Sequence, residues 1–130
     1  MPKDVFDDDV WSRAKEQGRE VLVDVARREE TIPYSDLVAR ISAITLDPHS
    51  YAMRAFLGEI STAEHTQGRG MLSVVVVYKR GDQMPGPGFF ELARSLGYSF
   101  RDNTEFWLEE LRKVYRVWSR RGDRKPPTIQ

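Results

Sequence analysis

The chain has 130 residues, 40% of them apolar and 31% charged, with 20 basic and 20 acidic side chains and no cysteine. That length suits one domain with a real core, and the apolar share together with three tryptophans excludes a disordered chain. The missing cysteine removes disulfides, thiol nucleophiles and Cys-ligated zinc, and a formal net charge of zero counts against a strong non-specific polyanion binder.

No apolar run approaches the roughly 18 residues needed to span a bilayer. Met1-Pro2-Lys3-Asp4 lacks the apolar stretch of a signal peptide, so a cytoplasmic chain without a membrane partner is expected. Asp7-Asp8-Asp9 puts negative charge where a helix N-terminus favours it. Val10, Trp11, Ala14, Val21, Leu22, Val25 and Ala26 then form a helical stripe, predicting an amphipathic helix over 7–29 with Gly18 as a weak point. Pro33 ends it by disfavouring helical geometry at Ile32. Ser35 reads as the N-cap of a short helix with Leu37, Val38 and Ile41 inward.

Asp47-Pro48 is a start signal for a third helix, a capping side chain followed by proline at the first helical position. That helix places Met53, Phe56, Leu57 and Ile60 on one face and stops at Gln67-Gly68-Arg69-Gly70. Leu72 to Tyr78 is β-branched and uniformly apolar, which predicts a covered strand. Gly81 to Gly88 is a Gly/Pro loop, Phe89 to Leu96 a short helix, and Gly97 its stop. Asp102 or Thr104 opens the last helix, where Trp107, Leu111, Val114 and Trp118 share a face widened by Phe106, Leu108 and Tyr115.

Helix, helix, strand and Gly/Pro loop over 31–90 follow the order of a winged helix-turn-helix. The fold expected is therefore mainly α with a small β element: a winged helix-turn-helix flanked by an N-terminal helix and an aromatic C-terminal helix. A single domain over 1–130 divides into the N-terminal helix (7–29), the winged-helix core (31–90), the C-terminal helices (89–120) and a basic flexible tail (121–130). Arg54 stands at the start of the reading helix, with Ser50, Ser61 and Thr62 as further hydrogen-bonding groups and Lys79, Arg80 and Gln83 on the wing. Arg112, Lys113, Arg116, Arg120, Arg121, Arg124 and Lys125 stand against the single acid Asp123. Of these, Arg120, Arg121, Arg124 and Lys125 are the candidate phosphate contacts, unless the run is simply a solvated face. Glu59 and Glu64 lie on the reading helix and would repel phosphates.

Catalytic chemistry finds no constellation. His49 and His65 pair with no nucleophile, Glu59 and His65 are six apart and share no ligand geometry, and no metal or cofactor site is expected. The Gly81–Gly88 loop lacks a Gly-Lys-Ser/Thr ending, and its prolines remove the N–H groups that would cradle phosphate.

Ile32-Pro33-Tyr34-Ser35-Asp36-Leu37-Val38, then Arg54-Ala55-Phe56-Leu57-Gly58, then Gly81-Asp82 leading to Pro87-Gly88-Phe89, are similar to three successive motifs of one family. With them the segment 31–90 resembles the DNA-binding domain of the O6-alkylguanine-DNA alkyltransferases and their alkyltransferase-like relatives. The resemblance implies a winged-helix fold and DNA binding. Where that family carries Pro-Cys-His-Arg, this chain has Leu72-Ser73-Val74-Val75, so alkyl transfer is excluded and Ser73 is expected to be structural. The expected function is a non-catalytic winged-helix protein binding nucleic acid, duplex DNA ahead of RNA. The alternative is a protein-interaction or homodimerisation module on the same scaffold, using Trp107, Tyr115 or Trp118 if these are exposed.

Overall fold

The computed structural model describes residues 7–119. Asp7 caps the first helix by accepting the Asp9 N–H at 3.0 Å, and α1 runs Asp8–Arg27 with Trp11, Ala14, Leu22, Val25 and Ala26 buried. Ile32–Pro33 form a two-residue strand, β1, and α2 (Tyr34–Ala39) follows at once. Its N-cap is Pro33, not Ser35. The proline ring already fixes the extended entry to the helix, and Ser35 sits exposed inside the first turn. Leu37 and Ile41 are buried and Val38 half-buried, on the side their spacing predicts.

α3 (Tyr51–Thr66) begins at Tyr51 and not at Pro48. Asp47 instead closes a preceding turn: its side chain accepts the His49 N–H at 2.9 Å, and its carbonyl accepts the Ser50 N–H and hydroxyl. Ser50 is the cap, its hydroxyl oxygen accepting the Met53 N–H at 3.1 Å. Gly68 and Gly70 reverse the chain after α3 in left-handed conformations (φ 79° and 90°) that favour glycine.

The covered strand expected over Leu72–Tyr78 is mostly not a strand. Leu72–Val75 form a 3-10 turn, and only Val76–Val77 are extended, as β2. β2 pairs in parallel with β1, Ile32 opposite Val76 and Pro33 opposite Val77. Pairing cannot go further, because α2 starts at Tyr34 and removes the neighbouring strand. Every residue from Met71 to Val77 is nevertheless buried. Side chains supply the partners that a strand would have given. Met71 N–H donates to Glu110 at 2.8 Å, Ser73 N–H donates to Ser61 Oγ at 2.8 Å, and Trp107 Nε1 donates to the Val74 carbonyl at 2.9 Å.

α4 (Pro87–Ser95) starts behind Gly86 and ends before Gly97, whose φ of 102° favours glycine. α5 (Asn103–Trp118) is capped by Asp102, which accepts the Glu105 N–H at 3.1 Å. α1, α3 and α5 pack around the 3-10 turn, α2 packs on the two strands, and α4 packs on α3. The architecture is mainly helical with one two-stranded parallel sheet. The strand after α3 thus pairs with the one before α2, where an antiparallel wing hairpin would need a second strand beyond the loop.

α1 and α3 cross at Gly18, where a Cβ would lie 2.8 Å from Phe56 Cζ, and Trp11 meets Phe56 edge-on at 5.7 Å. The weak point in the helical stripe is therefore the crossing itself. Both acids expected to trouble the reading helix are tied to α1. Glu59 accepts from Trp11 Nε1 and Lys15 Nζ, each at 2.9 Å. Glu64 is 2% exposed and accepts from Arg19 Nε and Arg69 Nε, each at 2.6 Å. Burial pulls the Glu64 carboxyl upward, but the two guanidiniums outweigh it and hold it below its ordinary value of 4.5.

The aromatic face of α5 points inward. Trp107 is bonded to Val74, and Tyr115 donates to the Glu30 carbonyl at 2.6 Å. Trp118 has the guanidiniums of Arg19, Arg27 and Arg69 at 5.5–5.9 Å from its ring. Burial, with Glu29 and Glu30 nearby, pushes the Tyr115 hydroxyl up to about 12. The half-buried rings of Trp107, Tyr115 and Trp118 pack against the core, leaving Leu108 and Val117 as the exposed large apolar side chains of this helix.

Gly18→Ala should lower the thermal midpoint, since overpacking against Phe56 costs about 1–3 kcal/mol and outweighs the helix-propensity gain of about 1 kcal/mol. Gly58→Ala, with nothing within 4 Å of the added Cβ, should raise the midpoint in the same assay. Because the folded Glu64 pKa lies below the unfolded one, its stabilisation is complete above about pH 4.5 and is lost as pH falls through the folded value. Glu64→Gln should cost about 3 kcal/mol at neutral pH, the low end for breaking a buried pair since both guanidiniums reach solvent. It should also flatten the acid limb of stability measured by denaturant unfolding between pH 6 and pH 3.

Candidate functional site

A cleft of about 550 Å³ opens between the first turn of α3 and the start of α4. One wall is a cluster of rings. Tyr34 lies 5.3 Å from Tyr78 and 6.2 Å from His49, and His49 lies 6.0 Å from Tyr78, centroid to centroid. Each ring comes from a different element: the first residue of α2, the turn before α3, and the residue after β2. The parallel β1–β2 pair brings the first and last together, because Tyr34 and Tyr78 directly follow the paired residues Pro33 and Val77.

Tyr34 also holds the opposite wall in place. Its hydroxyl oxygen accepts the Gly86 N–H at 2.8 Å, fixing the residue that caps α4. Burial raises the Tyr34 pKa, against the smaller opposing effect of the Gly86 N–H, so the phenol stays protonated. Two glycines let side chains approach closely along this wall. A Cβ at Gly86 would stand 2.6 Å from the Tyr78 hydroxyl, and one at Gly88 would stand 2.6 Å from Arg54 Nε.

Arg54 and Glu91 are the strongly charged side chains among the described lining residues. Arg54 Nη2 is 3.4 Å from Glu91 Oε1, and both side chains are more than half exposed. An ion pair in that setting is worth little and yields readily to a ligand. Met53, Leu57, Phe89 and Leu92 make the walls apolar, and Ser73, 5% exposed, also lines the cleft. Ser61 Oγ donates to Ser73 Oγ at 2.6 Å, a partner twelve residues distant that the residues beside Ser73 could not supply. His49 lines the same cleft, but its ring packs on the two tyrosines.

The structure gathers some of the nominated residues and separates others. Ser50 and Arg54 line the cleft; Ser50 is committed as the α3 cap. Ser61 is fully buried beneath Ser73 and cannot meet a macromolecule, which corrects its nomination. Thr62 is half-exposed on α3 and does not line the cleft. Lys79 and Arg80 are exposed just beyond Tyr78, with Lys79 Nζ 3.6 Å from Asp36. Gln83 turns back on its own loop, donating to the Lys79 carbonyl at 3.3 Å from a left-handed backbone (φ 54°). Arg120, Arg121, Arg124 and Lys125 lie outside the described residues.

The residues missed from the sequence are Tyr34, His49, Tyr78 and Glu91. Tyr34 stood in a quoted motif, yet nothing local showed that it meets Tyr78. His65 packs instead on Tyr98 at 5.4 Å, beside the buried Glu110 that also accepts from the Tyr98 hydroxyl at 3.1 Å. No protein-family model, curated protein or solved structure matches the chain.

Tyr34→Phe leaves the buried Gly86 N–H without its acceptor and should cost about 1–3 kcal/mol in denaturant unfolding. Tyr78→Phe breaks no hydrogen bond of that kind and should stay within about 0.5 kcal/mol of wild type.

Proposed function

We propose that the chain is a non-catalytic nucleic-acid-binding protein that docks duplex DNA across the cleft, in the manner of a winged helix. The start of α3 serves as the reading element and the 78–86 loop as the wing. The observation that carries this reading is an exposed guanidinium, Arg54, lining the cleft at the start of α3, with two further exposed cations, Lys79 and Arg80, following Tyr78 of the same lining. The engagement of Glu59 and Glu64 with α1 favours it further, since neither carboxylate is left to repel phosphate from that side. Arg54 would contact a base edge, and Lys79 and Arg80 would position the backbone.

The resemblance over 31–90 supports the same reading, with Ser73 at the place of the family's reactive cysteine. The non-catalytic reading rests on the sequence, where Leu72-Ser73-Val74-Val75 stands in place of Pro-Cys-His-Arg. Homodimerisation through the aromatic helix has less support, because Trp107 and Tyr115 use their polar atoms inside the fold.

Titration of a fluorescent duplex at two salt concentrations tests the proposal. Weak, steeply salt-dependent binding is expected, with Arg54→Ala costing about 1–3 kcal/mol as a base contact. Replacing Lys79 and Arg80 by alanine should reduce the salt slope by roughly 0.9 per lost phosphate contact. No binding even at low salt would move the assignment to the protein-interaction alternative.

A further inference from the structure

The cleft has the character of a small-molecule site in its own right. Its volume of about 550 Å³ falls in the range of roughly 300–1,000 Å³ typical of ligand pockets. It joins apolar walls to a single guanidinium, the pattern that fixes an amphipathic ligand by one polar end. The Tyr34, His49 and Tyr78 rings form one side, with His49 and Tyr78 exposed, so a flat ligand ring has aromatic surface to pack on.

The charges narrow the class further. Arg54 offers a planar, two-pronged donor that matches a carboxylate. Glu91 sits 3.4 Å from that guanidinium and would repel a second negative charge, so the fit is to a monoanion and not to a phosphate monoester.

We propose that the cleft binds a small aromatic carboxylate, its ring against Tyr34, His49 and Tyr78 and its carboxylate on Arg54 in place of Glu91. Ligand binding does not depend on the nucleic-acid reading, but both would use this cleft and Arg54, so the ligand and a duplex exclude one another there.

Benzoate titrated into the full chain without nucleic acid, followed by ¹H–¹⁵N NMR shifts, tests this directly. Saturable binding to one site is expected, with shifts confined to the first turn of α3, Tyr34, Tyr78 and the start of α4. Benzyl alcohol, which keeps the ring and loses the charge, should bind about tenfold more weakly, and acetate should not bind. Arg54→Met should lose about tenfold for benzoate and nothing for benzyl alcohol. Glu91→Gln, which removes the competing carboxylate, should tighten benzoate about threefold. Benzyl alcohol binding as tightly as benzoate, an unchanged benzoate affinity in Arg54→Met, or no saturable shift in the wild-type chain each overturns the proposal. A chain that binds benzoate but no duplex disproves only the DNA reading, and the reverse result disproves only this one.

Discussion

Seven consecutive residues, Met71 to Val77, are buried among helices with only the two residues of β1 to pair with as strand. Each carries a backbone donor and acceptor that water cannot reach, and an unpaired one costs about 1–3 kcal/mol. Part of this demand is met by two residues of parallel strand, by the turn's own bonds from the Val74 N–H to the Met71 carbonyl and the Val76 N–H to the Ser73 carbonyl, and by three side-chain contacts, from Ser61, Trp107 and Glu110. These contacts tie the buried segment to α3, α5 and β1. The same contacts place the cleft: Ser61 holds Ser73 at its lining, and the β1–β2 pair delivers Tyr34 and Tyr78 to its wall.

Many of the chain's charges serve the interior. Arg19 and Arg69 clamp Glu64, Lys15 meets Glu59, and Lys113 meets Glu110 at 3.2 Å while donating to the Tyr98 hydroxyl at 3.0 Å. Burial pulls the Lys113 ammonium down, but Tyr98 and Glu110 outweigh it and hold its pKa above the ordinary value. A net charge of zero therefore says little about the surface a partner would meet. Cations and acids that look interchangeable in composition are divided by the fold between ties around the core and an exposed set that includes Arg54, Lys79 and Arg80.

Features that depend on sequence neighbours were legible. The acidic run Asp7-Asp8-Asp9 does open α1, Asp102 rather than Thr104 caps α5, Gly97 stops α4, and the apolar stripes of α1, α3 and α5 face the core. Features decided by distant partners were not. Leu72–Val75 have strand chemistry, yet a strand needs a neighbour, and β1 stops at Pro33. Ser61 reads as a polar group on an outer face because its partner Ser73 lies across the chain reversal. Asp47-Pro48 and Ser35 are sound local signals outcompeted by Ser50 and Pro33. Of the cleft, Ser50 and Arg54 could be found from helix position alone, whereas the rings converge only through a pairing of residues 44 apart in sequence.

The Gly/Pro run also changes meaning once folded. As a string, Pro85-Gly86-Pro87-Gly88 signals a loop that resists regular structure. In the fold its prolines and glycines serve different ends. Pro87 occupies the first turn of α4, where a missing N–H costs nothing, while the bare Cα atoms of Gly86 and Gly88 let the Tyr78 hydroxyl and Arg54 approach. Side chains at either glycine would push the ring wall or the guanidinium out of position. The loop's composition is thus set by what packs against it, and the cleft keeps its shape because two of its walls meet across glycine.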